Sequence, residues 1–339
     1  MSNQPPIEVP QGAIRLNTDS QRLEFFAQDR WYEFATDVPT LDGGARGLFT
    51  SRSTSPGVYS NIVDFITIST TGNATDFGDT IGSGAYGSTG SDKTRGIFGG
   101  GHPNSSGSDT IQFFTIASTG DGTDFGNLTS ARWLMGGGVS SGTRTVFAGG
   151  SLLGGSNPTT NVLDFVTTQS LGNAVDFGDQ IQARRLQASV NSPTRGIFAG
   201  GYHPATNYNL IEFITTATTG NTQDFGDLSF ALRENAGVCN TIRGMIAGSG
   251  NPTSKVIEVL SIATLGNSTQ FGELSGTRDL LAGVSSPTRG VFAGGQAPSS
   301  ATNIIEYIAL QTEGNAVDFG DLTVASYGSG GISNSHGGL

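Results

Sequence analysis

The chain has 339 residues, 13% of them charged, 52 of them glycine, and a formal net charge of −11. With few strong helix formers to offset this much Gly, Ser, Thr and Asn, long helices are excluded, and many short strands joined by tight turns are expected. The acidic balance without a basic cluster speaks against nucleic-acid binding. Cys239 is the only cysteine, so no intrachain disulfide can form, and three His with one Cys do not compose a zinc site. No metal and no cofactor is expected. There is no apolar run of about 18 residues to cross a membrane. The first residues, MSNQPPIEVPQG, lack the segments of a signal peptide, so synthesis in a cytoplasm without export by the usual route is expected.

In chain order, residues 1–40 stand apart from the remainder of the chain. They read as three short strands, about 13–17, 21–27 and 31–35, joined by the turn sequences NTDS and AQDR. So small a piece buries too little surface to fold alone and is expected to dock on something.

From residue 41 to 339 the chain repeats. The first copy holds DFGDTIGSGAYG (residues 76–87), which joins a kinase-like metal triplet to a G-x-G-x-x-G pattern. The phenylalanine of the triplet recurs at Phe77, Phe125, Phe177, Phe225, Phe271 and Phe319, and Gln270 replaces the acid in one copy. A second anchor recurs at Arg46, Arg95, Arg144, Arg195, Arg243 and Arg289. A sixfold triplet is a repeat element and not a kinase signature. The glycine pattern precedes no helix, so it is a chance match. Each unit reads as four antiparallel strands. The third shows three columns: apolar (Val63, Ile111, Leu163, Ile211, Ile257, Ile305), polar (Asp64, Gln112, Asp164, Glu212, Glu258, Glu306) and mostly aromatic (Phe65, Phe113, Phe165, Phe213, Val259, Tyr307). That is the period of two of a strand. Four strands per unit suit a propeller blade that buries its faces against neighbours. The fourth strand reads as a short piece ending, in the last copy, at Phe319. The first copy has no room for a first strand before Arg46. The C-terminal tail matches one, with Ile332 falling on Val139, so the C-terminus is expected to supply the innermost strand of the first blade.

These features resemble the kelch-type β-propeller. The double glycines after the second strand are Gly99-Gly100, Gly149-Gly150, Gly200-Gly201 and Gly294-Gly295, and the repeated Phe stands where kelch blades carry a tryptophan. The resemblance implies an all-β fold: a six-bladed kelch-like propeller over 41–339, preceded by the three-strand segment 1–40. Pro10, Gly12, Ile14, Arg15, Asn17, Thr18 and Trp31 resemble a segment of tailed-phage fibres and related appendages. Glycine-rich arrays ending in SHGGL look like those of cyanophage virion proteins. These resemblances imply a virion protein whose residues 1–40 dock to other virion proteins, through Ile14, Arg15, Phe25, Phe26 and Trp31. By analogy with fibres a homotrimer is implied.

Among candidate sites, the repeated charges read as pairs within and between blades. Ten Arg are involved, the six anchors with Arg132, Arg184, Arg233 and Arg278. The competing reading is a ring of Arg lining the channel to hold an anion. His102 and His203 each precede a Pro in the loop after the second strand, and only two copies have them. Cys239 replaces a Ser of the first-strand column and reads as a small buried residue near the axis. Trp133 reads as packing on the neighbouring blade rather than as a stacking platform. The loops between second and third strands vary most, and variable loops on a rigid scaffold carry recognition. For a ligand the residues are His102, Tyr202, His203, Tyr208 and the 151–160 loop, whose aromatic and amide groups suit a sugar. The expectation is host-surface glycan recognition by a virion structural protein. The alternatives are plain decoration of head or tail, or a glycan-active propeller enzyme, for which no cluster of non-repeated Asp, Glu, His or Tyr is visible.

Overall fold

The computed structural model describes residues 9–17, 22–33, 45–101, 107–152, 158–298 and 300–339. The chain divides into two compact units, Met1–Asp42 and Gly43–Leu339. The described residues are all-β, in antiparallel sheets without a helix.

In the first unit, Ile14–Asn17, Arg22–Ala27 and Arg30–Glu33 form a three-stranded meander. Alternation splits its side chains between two faces. On one, Arg15 donates to Glu24 at 2.8 Å and lies 4.1 Å from the Trp31 ring centre, and Trp31 meets Phe26 edge-on. Hydrogen bonds from Asn17 and Arg15 hold the Glu24 carboxyl below its usual range. On the other, Phe25 stacks on Tyr32, while Ile14, Leu16 and Leu23 stay exposed.

In the second unit, six sheets among the described residues share one four-strand plan. Sheet 2, for example, runs Ser88–Ser91, Arg95–Gly99, Ser108–Thr115, Thr123–Trp133. The C-terminal strand Gly330–Ser333 pairs with Arg46–Thr50, placing Ile332 opposite Leu48, and so serves as first strand of sheet 1. Sheets 3 to 6 begin at Val139–Ser140, Ala188–Asn191, Ala236–Cys239 and Ala282–Ser285. The apolar column of the third strand is fully buried and the polar column nearly so. Both faces of each sheet are therefore covered.

The D-F-G triplet now has a physical cause. In every copy the residue before Phe pairs with the polar column and the Gly after it pairs with the apolar column, as in Asp64↔Asp76 and Val63↔Gly78. Phe is the extra residue of a β-bulge. Its ring is 2–4% exposed and packs edge-on against the aromatic column, at 5.8 Å for Phe65–Phe77. The Gly that comes next has φ near +150° in five copies, and a Cβ there would strike the backbone of the next sheet. Beyond the bulge the fourth strand continues, to Ser326 in the last copy, so it is not the short piece ending at Phe319 that the sequence suggests. The positive-φ glycine pair of sheet 2 is Gly100-Gly101, one residue later than read from sequence.

Neighbouring sheets are tied by the same groups each time. Gly120 N–H donates to the Phe77 carbonyl at 2.8 Å, and the Asp121 carboxylate accepts from Asp79 N–H at 3.0 Å. Equivalent bonds run Asn127–Asn173, Asp179–Asn221, Asp227–Asn267 and Glu273–Asn315, and the series returns to its start with Asp321–Asn73. Among the described residues the six anchor arginines pair with no acid. Each donates to a carbonyl of the following sheet, Arg289 to Ile68 and Ser69 of the first. Five of them lie 4.5–5.2 Å from the ring centre of their aromatic-column partner. The guanidinium thus exchanges water for carbonyl acceptors and an aromatic face.

Candidate binding site at the channel mouth

The first strands surround a cavity of about 130 Å³, lined largely by backbone and small side chains such as Gly90, Ser189, Gly237 and Gly283. Glycine lets the first strands approach one another: a Cβ on Gly283 would meet the Gly237 carbonyl. One end is stoppered by the tail. His336 is half-buried, with Nδ1 accepting from Gly338 N–H and Asn191 Nδ2 at 3.0 Å and Nε2 donating to the Ser91 carbonyl at 3.2 Å. Burial pushes its pKa down to about 4. Cys239 lines the same cavity, and burial pushes its thiol up. None of the anchor arginines lines it, so a ring of arginines aimed into the channel is not what the repeat builds.

The other end is framed by backbone strain. Tyr86, Leu134, Leu186, Glu234, Leu280 and Gly328 all have positive φ, 48–68°. For the non-glycine residues that conformation costs about 1–2 kcal/mol each. A hydrogen-bonded circle offsets the cost: Glu234 N–H donates to Leu186, Leu280 to Glu234, Gly328 to Leu280, Tyr86 to Gly328, and Leu186 to Leu134. Met135 N–H closes the circle onto the Tyr86 carbonyl at 3.1 Å. The residues just before this circle are Ala85, Trp133, Arg185, Arg233, Asp279 and Tyr327. Where other positions keep one chemistry across the copies, this one has a different character nearly every time.

Three of those side chains, with Glu234 and Tyr202, form a charged cluster. The Arg233 and Arg185 guanidiniums lie 4.6 and 5.1 Å from the Tyr202 ring centre. Arg185 donates to Ser151 Oγ at 2.8 Å. The Glu234 and Asp279 carboxylates crowd the same point beside Gly250, where no Cβ would fit. Burial and then the Glu234 charge raise Asp279 to about 7, Arg233 acting the other way, and its Oδ1 is buried without a hydrogen-bond partner. Burial raises Glu234 too, against the pull of Arg233 and Arg185. On the far side Tyr86 and Tyr327 have ring centres 6.4 Å apart, and burial holds the Tyr86 phenol well above its ordinary pKa.

Of the residues expected from sequence to bind a ligand, Tyr202 sits inside this cluster. His203 is exposed on the Tyr202–His203/Thr206–Asn207 hairpin. Tyr208 is half-buried with its phenol near Arg184, and neither is bonded to the cluster. His102 and residues 153–157 lie outside the described residues. Trp133 pairs through its backbone with Ser151. Arg132, Arg184 and Arg278 are buried against Asp164, Glu212 and Glu306, as paired charges must be. Arg233 does not belong with them. Leu232 occupies that position, and Glu258 is held instead by Ser229 and Ser268. No cluster of non-repeated charges is visible in the sequence; Arg185, Arg233, Glu234 and Asp279 form one in the fold. Among the described residues no three His, Cys, Asp or Glu side chains converge as a metal would require. No protein-family model matches the chain, and no curated protein matches it in sequence.

Proposed function

We propose that the chain is a structural protein of a tailed-phage virion. Residues 1–40 attach it to the particle, and the second unit is a six-bladed kelch-type propeller that presents its channel mouth to a host-surface glycan. The observation that carries the recognition half is the mouth itself. Around the ring, side chains that recur are consumed by packing, carbonyls or buried ion pairs, whereas the mouth gathers donors, acceptors and aromatic rings that differ from copy to copy. Such a set, on a rigid frame, suits a polyhydroxylated ligand. The attachment half is supported by the P-x-G-x-I-R-x-N-T resemblance and by the exposed apolar face of Ile14, Leu16 and Leu23. Mass spectrometry of purified particles tests the first claim: absence of the protein refutes it. Binding of the purified protein to host cells, abolished by soluble host polysaccharide, tests the second; a bare decoration protein would not bind.

A second reading is favoured by one observation, the Glu234 and Asp279 carboxyls gathered beside Gly250 with Asp279 raised to about 7. That is the arrangement of a general acid beside a carboxylate. Release of reducing ends from host polysaccharide, lost in Asp279→Asn, would support glycan cleavage in place of simple binding.

A further inference from the structure

We propose that Arg185 and Arg233 form a subsite for the anionic group of an acidic saccharide, a carboxylate or a sulfate, held at the channel mouth. This rests on the glycan-recognition reading above and names the ligand class for it.

Most arginines of the second unit are already spent. The six anchors each donate to carbonyls of the next sheet. Arg52, Arg132, Arg184 and Arg278 face buried carboxylates. Arg185 and Arg233 remain. Arg233 is only partly engaged: it meets Tyr202 through its ring and phenol, and its ion pair with Glu234 is a loose one, Nε to Oε1 at 3.6 Å, beyond hydrogen-bond reach, with that Nε buried and without a hydrogen-bond partner. Arg185 uses a single terminal nitrogen, on Ser151 Oγ. A guanidinium presents five donors in a planar fork matched to an oxyanion. These two therefore keep most of their capacity open.

They also share one aromatic ring. Tyr202 holds both guanidiniums against it, and each feels the other's charge. Two like charges brought together, with donors open, are stabilised by an anion between or beside them. The neighbouring acids fill that role only in part. Glu234 pairs with Arg233 at 3.6 Å without a hydrogen bond, and it shares its place beside Gly250 with Asp279. The hydroxyl-rich remainder of a saccharide would find acceptors in those carboxylates and apolar rings in Tyr86 and Tyr327.

The test is calorimetric titration of the full-length protein with a galacturonic acid oligomer, with dextran sulfate and with neutral dextran. Saturable binding of one acidic probe, no binding of dextran, and a Kd raised about tenfold or more in Arg233→Gln and Arg185→Gln are expected, the loss due to one charge-assisted hydrogen bond. Lys93→Gln, which removes an exposed cation elsewhere, should leave Kd unchanged. Unfolding midpoints of the variants should match the parent, so that a folding defect is visible. Which acidic probe binds tells carboxylate from sulfate. Equal affinity for dextran, or equal loss in Lys93→Gln, would overturn the subsite. Binding to host cells without binding to either acidic probe sinks this inference and leaves glycan recognition standing; binding to neither sinks both.

Discussion

Replacing Gly320 by alanine should destabilise the second unit far more than the same change at Gly72 or Gly314. Gly320 comes directly after the bulged Phe319 in the last sheet, has φ of +149°, and sits where a Cβ would lie well inside 3.0 Å of the Gly72 carbonyl of the first sheet. Around Gly320 the seam is crossed by bonds from Gly72 N–H to Phe319, Ala74 N–H to Asp321, and Asp321 N–H to Asn73 Oδ1. Backbone strain costs about 1–2 kcal/mol. Pushing two backbones apart adds an overpacking term of about 1–3 kcal/mol, giving about 2–5 kcal/mol in all. Gly72 has φ of +155° with nothing near its Cβ position, so it bears the strain alone, about 1–2 kcal/mol. Gly314 occupies the matching place in the last sheet, with no such φ and open space around it. Alanine there should be neutral or stabilise by about 0.4–1 kcal/mol through the unfolded chain. Urea unfolding at constant m gives all three values. If Gly320→Ala and Gly72→Ala agree within about 0.5 kcal/mol, contact with the next sheet is not what selects this glycine.

Three further outcomes are expected from the same geometry. Ending the chain at Ser329 removes the strand paired with Arg46–Thr50 and leaves that strand an open edge, so circular dichroism should show no cooperative transition; Ile332→Ala, at a site 1% exposed, should cost about 2–5 kcal/mol. His336 binds its proton near pH 4 when folded against 6.5 when unfolded. Stability is therefore whole above pH 6.5 and falls by about 3 kcal/mol as pH drops to 4, a slope that urea midpoints should show and that His336→Gln should flatten. Asp279 is the opposite case, raised from 3.8 to about 7: the folded state holds the extra proton, so its stabilising share is present below pH 3.8 and is lost as pH climbs through 7. Asp279→Asn should gain about 1–2 kcal/mol at pH 8, after allowance for its partial exposure, and nothing near pH 4.

What could be read from sequence was whatever six copies repeat. The columns of the third strand and the missing first strand of the first copy are visible because packing imposes the same demand each time. The tail strand was visible because a gap at one end had a matching surplus at the other. Groups present once had no such signal. His336 lies past the last repeat, so no column marks it. Arg185, Arg233 and Asp279 come from three different sheets and meet only when the sheets do. Their signal was an aligned position reading Ala, Trp, Arg, Arg, Asp, Tyr beside positions that barely vary. Arg233 was misplaced by one residue because an arginine at nearly the right spacing looked like the repeat, and Leu232 takes that place. The loops after the second strand, which vary more openly, drew attention to His203 and Tyr208, whereas among the described residues the structure brings Tyr202 and Ser151 from them to the charged cluster.

The treatment of buried charge elsewhere in the second unit sets that cluster apart. Where a sheet has an arginine at the packing position, the third strand supplies an acid: Asp164 for Arg132, Glu212 for Arg184, Glu306 for Arg278. In sheet 1, where Ser326 takes the place of that arginine, Arg52 from the other side answers Asp64. In sheet 2, where Gly84 takes it, the acid is replaced by Gln112, whose oxygen accepts from Ile81 N–H at 2.8 Å. In sheet 5 two serines satisfy Glu258. A buried charge lacking a partner costs several kcal/mol, and in each sheet the chain has either paired it or removed it. A few residues away, at the mouth, the same chain leaves Asp279 Oδ1 without a hydrogen bond, two carboxylates together beside Gly250, and Arg233 in an ion pair with Glu234 too long for a hydrogen bond. Packing cannot account for that exception, because packing has been satisfied all around the ring without it. On the subsite proposed above, these loosely matched charges are the ones a ligand would complete.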